Sequence, residues 1–463
     1  MIDKTNNIPI FKQIYTNLIM EMQIGRFKKG DLLPGTRSLA LDLNVSRNSV
    51  ERAYMQLEIE GYILSKPNLG FVVLDTFSEI KLEAIPNMRK PQTESSDSII
   101  DFKYGGNGFS TFPKAKWKQY TLEVLSSETD PFLDNKGNIN LRIAISEYLY
   151  RHRGVRASYE QIVVTNGYVY SLEIMSNILK ARNPKSTITM ENPGFPVTRN
   201  TLIKNGMFDE PFVYSNGNLE LPEKVNPCLK AVIVTPSHHF PTGSVMGVSM
   251  RQTLLTWARE HSMYIIEDDY DSEFRYKGDP IPSLQSMDES GNVIYFGTFS
   301  KPLSSTLRMS YVILPVSLLP SYEARYEGYT SSVSTLQQSI LEKFLVNQDY
   351  EKHIRKMRKS FKKKHDLIKT ICEKQFGGRV SIHGEHGGLF ILLEVHKNSS
   401  SDTLVEEALQ NGVKVYPTTD FYLDGREKST VFMGFTDVSS MDIEKGIELL
   451  NQAWFGDLND VVD

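Results

Sequence analysis

The chain has 463 residues, 40% of them hydrophobic and 23% charged. That balance belongs to a folded globular protein of roughly two to four domains and excludes disorder of the whole chain. Lys and Arg number 52 against 56 Asp and Glu, a net charge of −4. A diffuse nucleic-acid-binding field is therefore excluded, and any DNA contact has to come from a local surface. The opening residues MIDKTNN lack the apolar core of a secretory signal, and the apolar runs at 231–234 and 389–393 are far too short to span a membrane. Cys228 and Cys372 are isolated. Neither a disulfide framework nor a zinc site is expected, and a reducing cytoplasm is the expected compartment.

In chain order, Ile10, Ile14, Leu18 and Met22 recur at the spacing of one helix face. The stretch GRFKKGDLLPGTR then supplies Gly25, Gly30, Pro34 and Gly35 as breakers. Thr36 is the expected N-cap of a short second helix carrying Leu39, Leu43 and Val45. Ser46 is the expected N-cap of a third, with Val50, Tyr54 and Leu57 as its apolar stripe and Gly61 at its end. Two β-rich runs around residues 66–70 read as a hairpin. Three helices and a hairpin make a winged helix-turn-helix over residues 1–75. Residues 76–100 are polar, hold two prolines and have no sustained period, which predicts a linker.

From residue 101 to 463 the pattern is α/β. Buried-strand runs occur at 161–165, 186–190, 231–235, 264–267, 293–297 and 311–314. Helix-length segments separate most of them, which predicts a mostly parallel sheet. Too few residues separate Phe296 from Tyr311 for a crossover helix, so the last strand is expected to run antiparallel. Residues 322–365 predict one or two long helices. The runs at 387–395, 401–411 and 431–435 predict a smaller C-terminal α+β lobe.

Two motif sets carry chemistry. In the first, LPGTR at 33–37, VSRNSVERAY at 45–54 and the following EGYI stand in fixed order. Arg37 and Arg47 taken singly would be ordinary surface charges. Together the set resembles the GntR-type winged helix over residues 8–74. That resemblance implies a recognition helix starting at Ser46, whose first residues face the major groove of operator DNA. Arg47 would then read guanine or grip a phosphate, Ser46 and Asn48 would meet phosphate, Arg37 would touch the backbone, and Lys66 would sit on the wing. Glu51 departs from the family, which often has a basic residue there. The first 75 residues hold 9 basic and 8 acidic side chains. One copy should therefore bind weakly, and a dimer is the natural remedy.

The second set lies at expected strand ends: TNGYVYSL at 165–172, ENPGFP at 191–196, IIEDDYDSEF at 265–274 and GTFSKPLSSTLRMSY at 297–311. A lysine after a buried strand, a buried aspartate, an aromatic and a phosphate-binding helix start suit pyridoxal 5'-phosphate. The region resembles the fold-type I aminotransferases. With PSHHFPTG at 236–243 and the N-terminal module, the whole chain resembles the MocR subfamily of GntR regulators. The resemblance implies that Lys301 forms the internal aldimine, Asp268 bonds the pyridinium nitrogen, Tyr270 bonds the phenolic oxygen and Phe195 stacks on the ring. Arg308, Thr298, Ser300 and the N–H groups of Tyr168 and Val169 would hold the phosphate. It further implies a homodimer, head-to-tail in this subfamily. His238 and His239 are adjacent and lack an acidic partner at ligand spacing, so no metal is expected.

Departures from the enzyme pattern matter for function. Phe240 stands where aminotransferases commonly carry Asn, and Thr436 and Asp437 follow the Gly-Phe pair where an arginine usually grips a substrate carboxylate. The expected function is therefore a transcription regulator sensing an amine, an amino compound or pyridoxal phosphate itself, rather than an enzyme. Two alternatives stay open: a pyridoxal-phosphate aminotransferase with an accessory DNA-binding domain, and a regulator that has lost the cofactor.

Overall fold

A computed structural model describes residues 2–3, 8–74, 99–105, 111–127, 134–278, 281–423 and 429–456. The chain divides into two compact units, Met1–Ser95 and Ser96–Asp463. The linker expected at 76–100 lies outside the described residues except for its last two.

The first unit contains α1 (Ile10–Gln23), α2 (Thr36–Asp42), α3 (Arg47–Ile59) and a hairpin of β1 (Ile63–Lys66) and β2 (Gly70–Val73). Ile14, Leu18 and Met22 of α1 are buried against Val50, Ala53, Tyr54 and Leu57 of α3. Burying each large apolar side chain contributes roughly 1.5–3 kcal/mol, which is what holds so small a unit together. The Tyr54 hydroxyl donates to the Pro34 carbonyl at 2.7 Å and fixes the entry to α2. Ser46 caps α3 by accepting from the Ser49 N–H. The cap expected at Thr36 is instead Gly35. The Pro34-Gly35 turn brings the chain round one residue early, and the Leu39 N–H already bonds the Gly35 carbonyl at 3.0 Å. The fully buried residue of α2 is Ala40, with Leu39, Leu43 and Val45 only partly buried around it.

The second unit runs β3 (Ile100–Asp101), α4 (Lys114–Leu125), α5 (Ile139–Arg153), β4 (Ile162–Thr165), α6 (Tyr168–Arg182), β5 (Thr187–Asn192) and α7 (Pro196–Lys204). It continues through β6 (Phe212–Ser215), β7 (Asn218–Leu219), β8 (Leu229–Val234), α8 (Val248–Glu260), β9 (Tyr264–Asp269), α9 (Leu284–Met287), β10 (Val293–Thr298) and β11 (Ser310–Ile313). Three helices follow: α10 (Leu319–Tyr326), α11 (Thr335–Val346) and α12 (Asp349–Phe376). The last elements are β12 (Val380–His383), β13 (Phe390–Val395), α13 (Ser401–Gln410), β14 (Val413–Lys414), β15 (Tyr416–Pro417), β16 (Thr430–Gly434) and α14 (Ser440–Phe455).

Eight strands form the large sheet in the order β4-β11-β10-β9-β8-β5-β6-β7. The central pairs are parallel, and β11 runs antiparallel to both neighbours, as the short gap before it requires. Successive side chains point to opposite faces. Ile233, Ile266, Ile294 and Val312 pack under α6, while Val232, Val234, Ile265 and Val293 pack under α8. Burial on both faces explains the unbroken apolar runs in the sequence.

The small lobe is the antiparallel sheet β12-β13-β16-β15, with α14 packed on α12 and α13. The helices expected over 322–365 are three rather than one or two. Gly328 (φ +76°) breaks the chain after α10, and Gln348 (φ +56°) breaks it before α12. At the start of the unit β3 pairs in parallel with β14. The Ile100 and Phe102 N–H groups donate to the Gly412 and Lys414 carbonyls at 2.9 and 3.0 Å. Phe102 is fully buried under Gly446 of α14, where a Cβ would stand 2.7 Å from the Phe102 ring.

Candidate functional site

β4, β5, β9 and β10 end at the same edge of the sheet, and each releases one of the expected motifs there. Lys301, Asp268, Tyr270, Phe195, Tyr168, Val169, Thr298, Ser300 and Arg308 all line a single cavity of about 360 Å³.

The anionic end of a ligand has an evident place. Gly167 turns the chain at φ +91° from β4 into α6, whose first N–H groups belong to Tyr168 and Val169. The first N–H groups of a helix have no partner within it and carry partial positive charge. Arg308 lies against this turn: a Cβ on Gly167 would stand 2.7 Å from its Nη2. Among the described residues Arg308 has no hydrogen-bond or ion-pair partner. A guanidinium beside a helix N-terminus with no carboxylate between them suits a phosphate. Ser300 adds a buried hydroxyl without a partner. Thr298 is less available, because its hydroxyl accepts from the Ser300 N–H at 3.1 Å and the Ser310 hydroxyl at 2.9 Å.

The two aspartates at the end of β9 point to opposite faces. Asp269 is committed away from the cavity, to Arg153 at 2.8 Å and to the Tyr295 hydroxyl. Asp268 lines the cavity and makes no hydrogen bond to a described residue. Burial, then the neighbouring Asp269 and Asp271, pushes its carboxyl up to about 8, and Lys301 opposes the shift. A carboxylate so starved of partners is suited to a cationic ring nitrogen. The Lys301 ammonium lies 3.7 Å above the Tyr104 ring centre. Burial lowers the Lys301 amine to about 8 against the pull of Asp271 and Asp268, so a substantial fraction is neutral near physiological pH.

Phe195 caps α7 and presents its ring to the cavity, edge-on to Phe240 at 5.1 Å and Tyr168 at 6.2 Å. Tyr270 is less free than expected. Its hydroxyl donates to the His238 carbonyl at 2.8 Å, which leaves only its lone pairs for a ligand. Phe240 is buried at the centre of an aromatic cluster with Phe390, Phe421 and Phe432. Beneath it, Glu191 accepts from the Thr235 N–H and hydroxyl at 3.0 and 2.7 Å, and burial raises its carboxyl to about 8. His239 is stacked on Tyr214 at 3.6 Å. The described residues contain no cluster suited to a metal ion.

Among the described residues Arg308 is the one guanidinium on the cavity wall, and neither Thr436 nor Asp437 reaches that wall. Thr436 is buried, and its carbonyl accepts from the Lys364 amine at 2.6 Å. Sequence reasoning missed Tyr104 and Thr235. Tyr104 comes from an irregular segment with no periodic signal. Thr235 stands one residue past β8, ahead of the PSHHFPTG motif, where its type alone says nothing.

In the first unit Arg37, Ser46, Arg47, Asn48 and Lys66 are all exposed. Arg47 and Asn48 open α3, and Lys66 ends β1 at the hairpin turn. The Arg47 Nε is paired with Glu51 at 2.7 Å. Arg52 points elsewhere, over the Phe11 ring at 4.4 Å.

Residues 99–439 match the family described as aminotransferase class I and II, and residues 11–73 match bacterial regulatory proteins of the gntR family. The uncharacterized HTH-type transcriptional regulator YdeL of Bacillus subtilis is 37% identical over 458 residues, covering 98% of each chain. The probable rhizopine catabolism regulatory protein MocR of Rhizobium meliloti is 26% identical, covering 98% of this chain and 95% of its own. Among solved structures, a multiple substrate aminotransferase from Thermococcus profundus has a similar fold. Its TM-score is 0.69 at 24% identity, covering 79% of this chain and 95% of its own.

Proposed function

The chain belongs to the aminotransferase class I and II family, in the MocR-type branch that joins this domain to a gntR-family DNA-binding unit, and on that premise we propose a pyridoxal-phosphate-dependent sensor that controls transcription. The signal is an amine, an amino compound or the cofactor itself. The observation that carries this reading is the convergence of Lys301, Asp268, Arg308 and the start of α6 on one cavity, in a chain that also exposes the first residues of α3.

Pyridoxal phosphate, when bound, supplies an electrophilic carbonyl that a primary amine captures reversibly. Lys301 is the amine of the chain placed for that capture. Asp268 accepts the ring nitrogen's proton in a hydrogen bond and keeps that nitrogen cationic. Phe195 covers a ring face and excludes water. Arg308, Ser300 and the N–H groups of Tyr168 and Val169 hold the phosphate. With its amine free and protonated rather than engaged by the cofactor, Lys301 would place a cation beside Asp268 and Asp271. That change of charge is the differential interaction a two-state sensor needs. A tenfold change in DNA affinity requires about 1.4 kcal/mol of coupling.

Transamination is the second reading, favoured by the intact Lys301 and Asp268. Against it stands a wall on which, among the described residues, Arg308 is the one guanidinium and lies at the proposed phosphate end, away from where an α-carboxylate would need a bidentate grip. Two copies assembled head-to-tail and reading two half-sites would raise the modest affinity of one winged helix by about 10²–10⁴-fold, because the second contact becomes intramolecular. No described helix is long and apolar enough to cross a membrane, which is consistent with the proposed cytoplasmic location.

The test is the visible absorption spectrum of the purified chain, repeated with a panel of amines, amino acids and free pyridoxal phosphate. DNA affinity and molecular mass are measured in the same samples. A cofactor band that one compound shifts, together with a change in DNA affinity and no steady turnover, is the expected result. Sustained turnover with a keto acid would favour the enzyme, and no band after reconstitution would overturn the cofactor reading.

A further inference from the structure

Helix α12 carries ten Lys and Arg residues against four Asp and Glu, a net of +6 in a chain whose total is −4. The remainder of the chain therefore carries −10, so the positive charge is concentrated on this helix. One side of α12 is apolar and buried, through Tyr350, Ile354, Met357, Phe361 and Ile368. The exposed side holds Lys352, Arg355, Lys356, Lys359, Lys362 and Lys363. At 3.6 residues per turn these six fall within an arc of about 120° and a length of about 17 Å.

Their partners separate structural charges from available ones. Lys352 pairs with Asp349 at 2.8 Å, and Lys362 with Asp366 at 2.7 Å. Arg355, Lys356, Lys359 and Lys363 have no hydrogen-bond or ion-pair partner among the described residues. Arg151 of α5 reaches Glu351 at 3.4 Å and adds a further cation beside the start of the stripe. A line of unpaired like charges is costly for the isolated protein and complementary to a linear polyanion. A membrane surface fits less well, because basic membrane helices interleave cations with exposed apolar anchors. The exposed side of α12 has none, and no large hydrophobic residue of this helix is exposed.

We infer that this face of α12 is a second, sequence-independent DNA contact that binds the duplex backbone flanking the operator. The inference rests on the DNA-binding reading above and extends it to the aminotransferase-like unit. It also accounts for a winged-helix segment of only +1 net charge, too little to hold DNA strongly by itself.

The experiment uses the full chain and a duplex enriched by it from a random library, with and without 15-bp flanks. Affinity is measured across a range of salt concentrations for two variants. One carries Arg355→Gln, Lys356→Gln, Lys359→Gln and Lys363→Gln. The other exchanges the same four between Arg and Lys. Each phosphate neutralised contributes about −0.9 to the slope of log K against log salt. The Gln variant should lose about 3.6 from that slope and lose the benefit of the flanks. The charge-conserving variant should retain both. An unchanged slope in the Gln variant overturns the inference. So does an equal loss in both variants, or a loss confined to binding of phosphatidylserine vesicles. Arg47→Ala separates the two readings. If it abolishes sequence preference while the α12 variant changes nothing, only the present inference falls. If the wild-type chain enriches no duplex, the DNA-binding reading falls with it.

Discussion

Lys301 owes its chemistry to where β10 releases it. The chain leaves the sheet at Thr298, and three residues later the amine stands over the Tyr104 ring, nearly out of water. Burial removes hydration from the ammonium and lowers it from 10.5 to about 8, with Arg308 adding to the shift and Asp271 and Asp268 resisting it. Only the neutral amine attacks a carbonyl. Loading of the cofactor-free protein should therefore accelerate as pH rises and level off above about 8, more than two units earlier than for an ordinary lysine. Stopped-flow absorbance checks this, and Lys301→Ala should retain the fold yet yield no lysine-linked adduct after borohydride reduction. At the start of α3, the proposed DNA-contacting face, Arg47 is held by Glu51 across one helical turn, with both side chains about half exposed. Such exposed pairs are worth well under 1 kcal/mol. Glu51→Gln should therefore cost little stability, release the guanidinium and remove a charge that repels phosphate. Operator affinity should rise about two- to threefold, and a fall in affinity would show that Glu51 positions Arg47 instead.

At the scale of elements, the β4–α6 turn sets the place of Arg308 on the cavity wall, the proposed phosphate end. Gly167 sits at φ +91°, which side chains with a Cβ adopt only under strain, and its missing Cβ leaves room for Arg308. Gly167→Ala should displace Arg308 and strain the start of α6. Cofactor affinity should drop more than tenfold in a spectroscopic titration while the far-ultraviolet circular dichroism stays unchanged. Elements of this kind were legible in the sequence because their signals are local. The runs of β4, β8, β9 and β10 are apolar because both faces of each strand are buried, and the residues that follow them carry the ligand chemistry. The breaks between α10, α11 and α12 were not legible. Gln348 adopts a left-handed conformation between two helical stretches without a residue type that announces it. Tyr104 and the β3–β14 pair were hidden for a different reason. They depend on contacts between residues some three hundred apart in sequence, and two-residue strands have no period to detect. The cap at Gly35 shows the limit of residue preference. Thr36 has the better side chain, but the Pro34-Gly35 turn decides where the helix starts.

For the whole molecule, two compact units imply two separable stabilities. A ligand that binds one folded unit stabilises it by about 2.7 kcal/mol at a concentration one hundred times its Kd. Saturating pyridoxal phosphate should therefore raise the melting temperature of the larger unit by a few degrees and leave that of the winged helix unchanged. Calorimetry would show two transitions of which one moves, and a single transition moving as a whole would mean the units unfold together. Within the larger unit, β3 has an attachment with a mechanical side. Ile100 and Phe102 are stitched to the small lobe through Gly412 and Lys414, and two residues later the Tyr104 ring lies under the Lys301 amine. Five residues can stretch to no more than about 18 Å, so the two attachments lie close together along the chain. Tension applied to the chain at residue 99 is borne by the same few backbone bonds that set the floor of the cavity. A shift of the small lobe around a ligand would therefore carry the start of this unit and the Tyr104 ring with it, as one attachment rather than two.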